Sequence, residues 1–218
     1  MPTTSQDIRT VEDIDFSVSQ GENRSDAILI VEGKAIYVNK QYLGMHSPTF
    51  QRLFFGNFYE SLAFVGGNPE DEGKDGFNLE EIEYKHIGTT SNLYDGLREF
   101  NLKNVAFEKF MDLLHVIYPS RKKITEDTAE DLLNLGYHLK IPCVIDRAEA
   151  VLIKSRTISV AEKLRIADKY KLFKLQDSCF SQLTVLKDFI DVKWSPAYKT
   201  LSDATKAALF EQLLKKIK

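Results

Sequence analysis

At 218 residues, 43% of them hydrophobic and 28% charged, the chain has an ordinary globular composition. A chain this long buries about 70% of the surface its unfolded form exposes, so no metal or disulfide is needed to hold a core. The 29 Lys and Arg against 32 Asp and Glu leave a net charge of -3, without the basic footprint that general phosphate binding requires, so nucleic acid is not an expected partner.

The first 24 residues are polar and weakly patterned and are expected to be a flexible N-terminal segment. They lack the basic start and apolar run of a signal peptide, and nowhere do about 18 apolar residues run together, so neither secretion nor membrane spanning is expected. Asn23-Arg24-Ser25 has the form of a glycosylation sequon, which without export is a chance match. Ala27 to Val31 and Ala35 to Val38 then form two apolar runs around Glu32-Gly33-Lys34, which predicts a hairpin. Apolarity on successive residues implies strands covered on both faces by helices. In NKQYLGMHSPTFQRLFF two short helices are predicted, with Ser47 capping the second and Pro48 at its first position, where no amide bond is lost.

Between Glu60 and Leu97 the character changes. Nine acids (Glu60, Glu70, Asp71, Glu72, Asp75, Glu80, Glu81, Glu83, Asp95) stand against Lys74 and Lys85, a local net of -7, and six of the chain's 11 glycines lie there. Such a segment opposes a packed core and predicts a long loop, inserted into a common fold at about residues 60–97. REFNLKNV at Arg98 to Val105 alternates as a third strand. In AFEKFMDLLHVIYPS, Phe107, Phe110, Leu114 and Ile117 fall at helical spacing and Pro119 stops the helix.

Thr125 with Glu126 and Asp127 opens another helix, whose Leu132, Leu133, Leu135 and Leu139 form a broad apolar face, and IPCVIDRAEAVLIKS predicts one more. From Ser155 the pattern is wholly helical. Ser159-Val160-Ala161-Glu162 reads as a capping box, Leu164, Ala167, Leu175, Cys179, Leu183 and Leu186 as apolar stripes, Trp194-Ser195-Pro196 as a break and Ser202-Asp203 as the start of the last helix.

Catalytic signatures do not appear: there is no Gly-x-Gly-x-x-Gly, no Gly-x-x-x-x-Gly-Lys, no Gly-x-Ser-x-Gly and no His-Glu-x-x-His. His46, His86, His115 and His138 fit no short metal motif. Cys143 and Cys179 are too few for a disulfide framework and point to a reducing compartment; each lies in an apolar run, where a thiol is inert. No enzyme, catalytic residue, metal or cofactor is therefore expected. One helix stands out, because beside the apolar face of Phe107 to Tyr118 a second face carries Met111, His115 and Tyr118. It is either buried by later helices or a groove for another protein, with Asp112 at its rim.

The stretches DAILIVEGKAIYVNKQYLGMHSPTFQRLFFGNFYES, FNLKNVAFEKFMDLLHVIYPS and KKITEDTAEDLLNLGYHLKIPCVIDRAEAVLI together resemble the BTB/POZ domain, in wording most like the nematode BTB proteins that usually carry a MATH domain. The resemblance implies an α+β fold, a small sheet flanked by a helix cluster, over residues 25–155, interrupted by the acidic insertion. Residues 156–218, with ISVAEKLRIADKYKLFKLQDSCFSQL, look like the BACK or three-box helices that follow such domains. About 25 residues precede Asp26 and about 65 follow Ile153, too few for a MATH domain or a Kelch propeller, so no substrate reader is visible.

The resemblance also implies sites. Many members dimerise through the first helix, here Tyr42, Leu43 and Met45. Many bind the cullin-3 scaffold of ubiquitin ligases through a hydrophobic-x-acid motif on the helix before Tyr-Pro, matched by Phe110-Met111-Asp112 with His115 and Tyr118 alongside. The family usually has glutamate where Asp112 stands, one methylene longer. Asp26 and Lys40 match the family's charged pocket, with lysine in place of the commoner arginine. The function implied is a homodimeric adaptor in the cytoplasm or nucleus that brings an unidentified substrate protein to cullin-3; the alternative is a scaffold that pairs with related proteins and recruits no ligase.

Overall fold

The computed structural model describes residues 15–17, 25–55, 84–86, 98–119 and 122–217. These divide into two compact units, one within Met1–Lys123 plus His138–Pro142, the other comprising Ile124–Tyr137 and Cys143–Lys218.

The first unit is built on a four-stranded sheet. Strands β1 (Ala27–Val31) and β2 (Lys34–Val38) form the expected hairpin, with Ala27 opposite Val38 and Val31 opposite Lys34. Its two-residue turn has positive φ at both Glu32 (49°) and Gly33 (75°), the backbone that matches the twist of paired strands. Gly33 takes that conformation freely, whereas Glu32 is strained and held from outside. Its Oε2 accepts the Phe107 amide at 3.1 Å, and Lys34 Nζ sits 4.1 Å from the centroid of the Phe107 ring. The turn thus caps helix α3 (Phe107–Ile117), whose own N-cap residue, Ala106, has no side chain able to do so.

Strand β4 (Arg98–Leu102) runs parallel to β1, with Leu29 opposite Phe100, and β3 (Tyr84–His86) runs antiparallel to β4, giving the order β2-β1-β4-β3. The sequence predicted β4 but not β3, which lies within the acidic segment read as a loop. Apart from β3, the proposed insertion at 60–97 lies outside the described residues. For β1 one face, Ala27, Leu29 and Val31, has no exposed surface, and on the other Ile28 is buried while Ile30 is only half-buried, so the expected double cover is nearly complete there. It fails for β2, an edge strand whose Lys34 and Ala35 are open to solvent.

The parallel β1–β4 pair requires a crossover between β2 and β4, and helices α1 (Lys40–His46) and α2 (Pro48–Phe55) lie within it. Asn39 caps α1 by accepting the Tyr42 amide at 2.8 Å. Ser47 caps α2, as expected, by accepting the Phe50 amide at 3.1 Å, while its buried hydroxyl donates to the Leu139 carbonyl. Phe50, Phe54, Phe100 and Phe110 form one aromatic core, with ring centroids 5.1 to 6.5 Å apart.

The second unit is helical: α4 (Glu126–His138), α5 (Pro142–Lys154), α6 (Val160–Tyr170), α7 (Phe173–Gln182), α8 (Leu186–Trp194), a 3-10 turn (Pro196–Thr200) and α9 (Asp203–Ile217). Polar side chains set its helix ends. Ser159 caps α6 as expected, but the reciprocal half of the predicted box is replaced, because Glu162 turns to accept from Arg165 Nε at 2.6 Å. Buried Glu149 on α5 caps α7 through the Leu175 amide at 3.0 Å. Buried Lys163 donates to the Ser155 carbonyl at 2.6 Å.

Asp168 receives three bonds at the start of α9: Ser202 N–H at 2.5 Å, Ser202 Oγ–H at 2.7 Å and Thr205 Oγ1–H at 2.8 Å. Burial works to raise its pKa, but these donors and nearby Lys171 outweigh that and hold it below the ordinary carboxylate value. Two expectations are corrected here. Leu186, placed on a buried stripe, is exposed, together with Ile190 and Trp194 on the same side of α8. Cys143, expected in apolar surroundings, is exposed, because it falls on the outer side of the first turn of α5. Cys179 is buried, and burial pushes its thiol up to about 12, where it stays protonated.

Candidate partner-binding face

Helix α3 carries the residues on which the functional reading turns, and its periodicity sorts them. Phe110, Leu113, Leu114, Val116 and Ile117 are buried, while Met111, Asp112, His115 and Tyr118 lie along one side and keep part of their surface. Phe110, counted in the sequence as a partner contact, is fully buried with its ring edge-on to Phe50 and offers no surface; it is core. Asp112 Oδ1 accepts from Lys122 Nζ at 2.6 Å, and the Lys122 amide donates to the His115 carbonyl at 2.9 Å. Lys122 thus lies beside the rim.

Tyr118 ends the helix and ties it to α1. Its hydroxyl accepts the Asn39 amide at 3.1 Å, and its ring lies 4.6 Å from that of Tyr42, whose own hydroxyl donates to the Ile117 carbonyl at 3.0 Å. Burial pushes the Tyr118 phenol up to about 12, opposed by the Asn39 amide, which favours the ionised form, and reinforced by Tyr42 and Asp26 nearby. At physiological pH it is a neutral hydroxyl on a largely apolar surface.

One resident of this face was not singled out in the sequence. Phe16 is 3% exposed, with its ring edge-on to His115 (5.4 Å) and to Tyr118 (4.8 Å), and its carbonyl accepts the Tyr37 amide at 2.9 Å. Of the segment 1–24, expected to be flexible, Asp15–Ser17 are described and the rest lies outside the described residues. Ile14, Phe16 and Val18 alternate with Asp15, Ser17 and Ser19, a short period-2 signal that could have marked Phe16 but that the polar composition of the segment outweighed.

The three residues proposed for dimerisation separate. Leu43 is fully buried, a correction, because it is on the inner side of α1. Tyr42 is engaged with Tyr118, Ile117 and His46, and Met45 is 79% exposed. Phe55, which the sequence did not single out, is also exposed. The Phe55 ring comes within 3.3 Å of where a Cβ on Gly44 would stand, so it lies against α1 at Gly44. The charged pair is brought together, but through the backbone: Asp26 Oδ1 accepts the Lys40 amide at 2.6 Å, with Asp26 exposed.

Among the described residues no three His, Cys, Asp or Glu side chains gather as a metal site, and no helix is long and apolar enough to cross a membrane. The BTB/POZ domain family matches residues 17–87 and 88–156, taking in the sheet, the α1–α2 pair and α3. The chain belongs to the BTB/POZ family. It is 36% identical over 208 residues to BTB and MATH domain-containing protein 38 of Caenorhabditis elegans, covering 95% of this chain and 45% of that protein. It is 30% identical over 193 residues to BTB and MATH domain-containing protein 36 of the same organism, covering 88% and 50%. BTB and MATH domain-containing protein 15 is 27% identical over 176 residues, covering 80% and 52%. The chain spans about half the length of these curated relatives. As a BTB/POZ domain protein it is a protein-interaction module, and the α+β fold expected from the resemblance is the one observed.

Proposed function

We propose that this BTB/POZ protein is a homodimeric adaptor that recruits cullin-3 and thereby brings a substrate protein to a ubiquitin ligase. The observation that carries the reading is the side of α3 on which Met111, Asp112, His115 and Tyr118 keep accessible surface while every other large side chain between Phe110 and Ile117 faces inward. A largely apolar strip with one carboxylate at its rim suits a partner that offers an apolar anchor and a donor. Phe110 supports that strip from beneath. Self-association is supported by Met45 on α1 and Phe55 on α2, two exposed large apolar side chains in the same unit. The helices within 156–218 serve in this reading as a BACK-like extension.

The test is a titration of the purified chain with the N-terminal region of cullin-3, followed by light-scattering mass. A two-to-two complex is expected. Asp112→Lys should abolish binding without unfolding the chain, and Met45→Glu with Phe55→Glu should give a monomer that still binds. A folded dimer that ignores cullin-3 refutes recruitment, and a monomeric wild type refutes the dimer.

A further inference from the structure

The face assigned to a partner already has an occupant. The Phe16 ring, 3% exposed, stands edge-on to His115 and Tyr118, at interplanar angles of 70° and 81°. Edge-to-face contact is the preferred geometry for aromatic pairs, so the seat is selective for a ring. Asp15 Oδ1 accepts both the Ser17 amide (2.8 Å) and the Ser17 hydroxyl (2.7 Å), closing a tight turn with Phe16 at its centre. Its backbone is tied to β2 by the bond from Tyr37 N–H to the Phe16 carbonyl. Lifting Phe16 away therefore leaves every β1–β2 pair, the α3 cap at Glu32 and the Tyr118–Asn39 bond in place.

We propose that the Asp15-Phe16-Ser17 turn is a built-in cover of the α3 partner face, which a partner must displace by placing its own aromatic or large apolar side chain between His115 and Tyr118. The proposal rests on the reading of this face as the cullin-3 site and adds its regulation. A covered seat lowers apparent affinity by the fraction of molecules in which it is open, so whatever draws Phe16 out raises affinity without touching the contact residues.

The experiment uses the full chain. In Phe16→Ala, the His115 and Tyr118 ring signals in NMR spectra should shift in the free protein, and the N-terminal region of cullin-3 should bind at least about tenfold tighter than to wild type. Asp15→Ala, which loosens the turn and keeps the ring, should gain an intermediate amount and serves in place of Phe16→Ala should the latter not fold. Equal affinity in a folded variant overturns the proposal; weaker affinity overturns it too, by making Phe16 part of the docking surface. Should neither wild type nor variant bind cullin-3, the adaptor reading fails and the cover is decided by a synthetic peptide of residues 12–20 added to the variant chain. Peptide binding with shifts at His115 and Tyr118, lost when the peptide's Phe16 is replaced by Ala, supports an exchangeable seat; no binding overturns it.

Discussion

Phe110 and Asp112 are two positions apart in one motif of the sequence, yet one is buried and the other keeps accessible surface, and their alanine variants should separate cleanly. Phe110 is fully buried against Phe50. Truncating such a ring loses its transfer free energy and leaves a cavity, a cost of about 3–5 kcal/mol, against a total stability of about 5–15 kcal/mol for an ordinary domain. Asp112 is 31% exposed and its partner Lys122 55% exposed. An ion pair that open contributes about 0–1 kcal/mol. Urea unfolding followed through the methyl signals of Leu113 and Leu114 reports on the unit that holds both residues. The midpoint should fall far for Phe110→Ala and barely move for Asp112→Ala. In a cullin-3 titration the order reverses: Asp112→Ala should weaken binding about tenfold at unchanged stability, and Phe110→Ala only in proportion to its unfolded fraction. A destabilisation below about 1 kcal/mol for Phe110→Ala would refute its placement in the core.

Three further outcomes follow from the same geometry. Asp168→Asn should destabilise the helical unit by about 1–2 kcal/mol, since an amide cannot serve three donors as the carboxylate does. Because the folded-state pKa of Asp168 is depressed, its contribution is complete above the unfolded value near 3.8 and is lost as pH falls through the folded value. The gap between wild type and variant, measured by thermal unfolding, should therefore close below about pH 4. Lys171 ends α6 in the left-handed region at φ 55°, so Lys171→Gly should raise stability by about 0.5–1 kcal/mol in urea unfolding. Glu32→Ala should cost about 1 kcal/mol and speed hydrogen exchange at the Phe107 amide, which loses its acceptor.

Local patterns in the sequence specified most elements. The hairpin was legible from paired apolar runs, α2 from Ser47-Pro48 and α3 from the spacing of Phe107, Phe110, Leu114 and Ile117. Strand β3 was not, because Tyr84, Lys85 and His86 lack the alternation of a strand and sit in an acidic, glycine-rich context; pairing with β4, a tertiary contact, defines them. β2 read as doubly covered because apolar run length cannot distinguish a central strand from an edge strand, and only the sheet order does. Several helix caps were equally hidden. Glu149 serves Leu175 across 26 positions and Glu32 serves Phe107 across 75, and no short-range rule joins residues so far apart.

The functional face shows the same limit in sharper form. Helical spacing separated Met111, His115 and Tyr118 from the main apolar stripe, and it left open whether that second side is buried or offered to a partner. The structure sets Phe16, some 100 positions earlier, edge-on to both His115 and Tyr118, with Tyr42 of α1 also against Tyr118, while both residues keep part of their surface. A motif match in the primary sequence tests residue type and spacing; it cannot weigh whether the hydrophobic member points inward, as Phe110 does, or whether another part of the chain sits on the rest. Those two facts change what the motif can do. On the proposed reading the contact surface reduces to Met111, Asp112, His115 and Tyr118, and access to its aromatic end would depend on whether Phe16 occupies it. Affinity for a partner is then the product of an intrinsic fit, set by α3, and an opening equilibrium, set by a turn outside it, so variants at residues 15–17 should alter partner binding while leaving the α3 contacts intact.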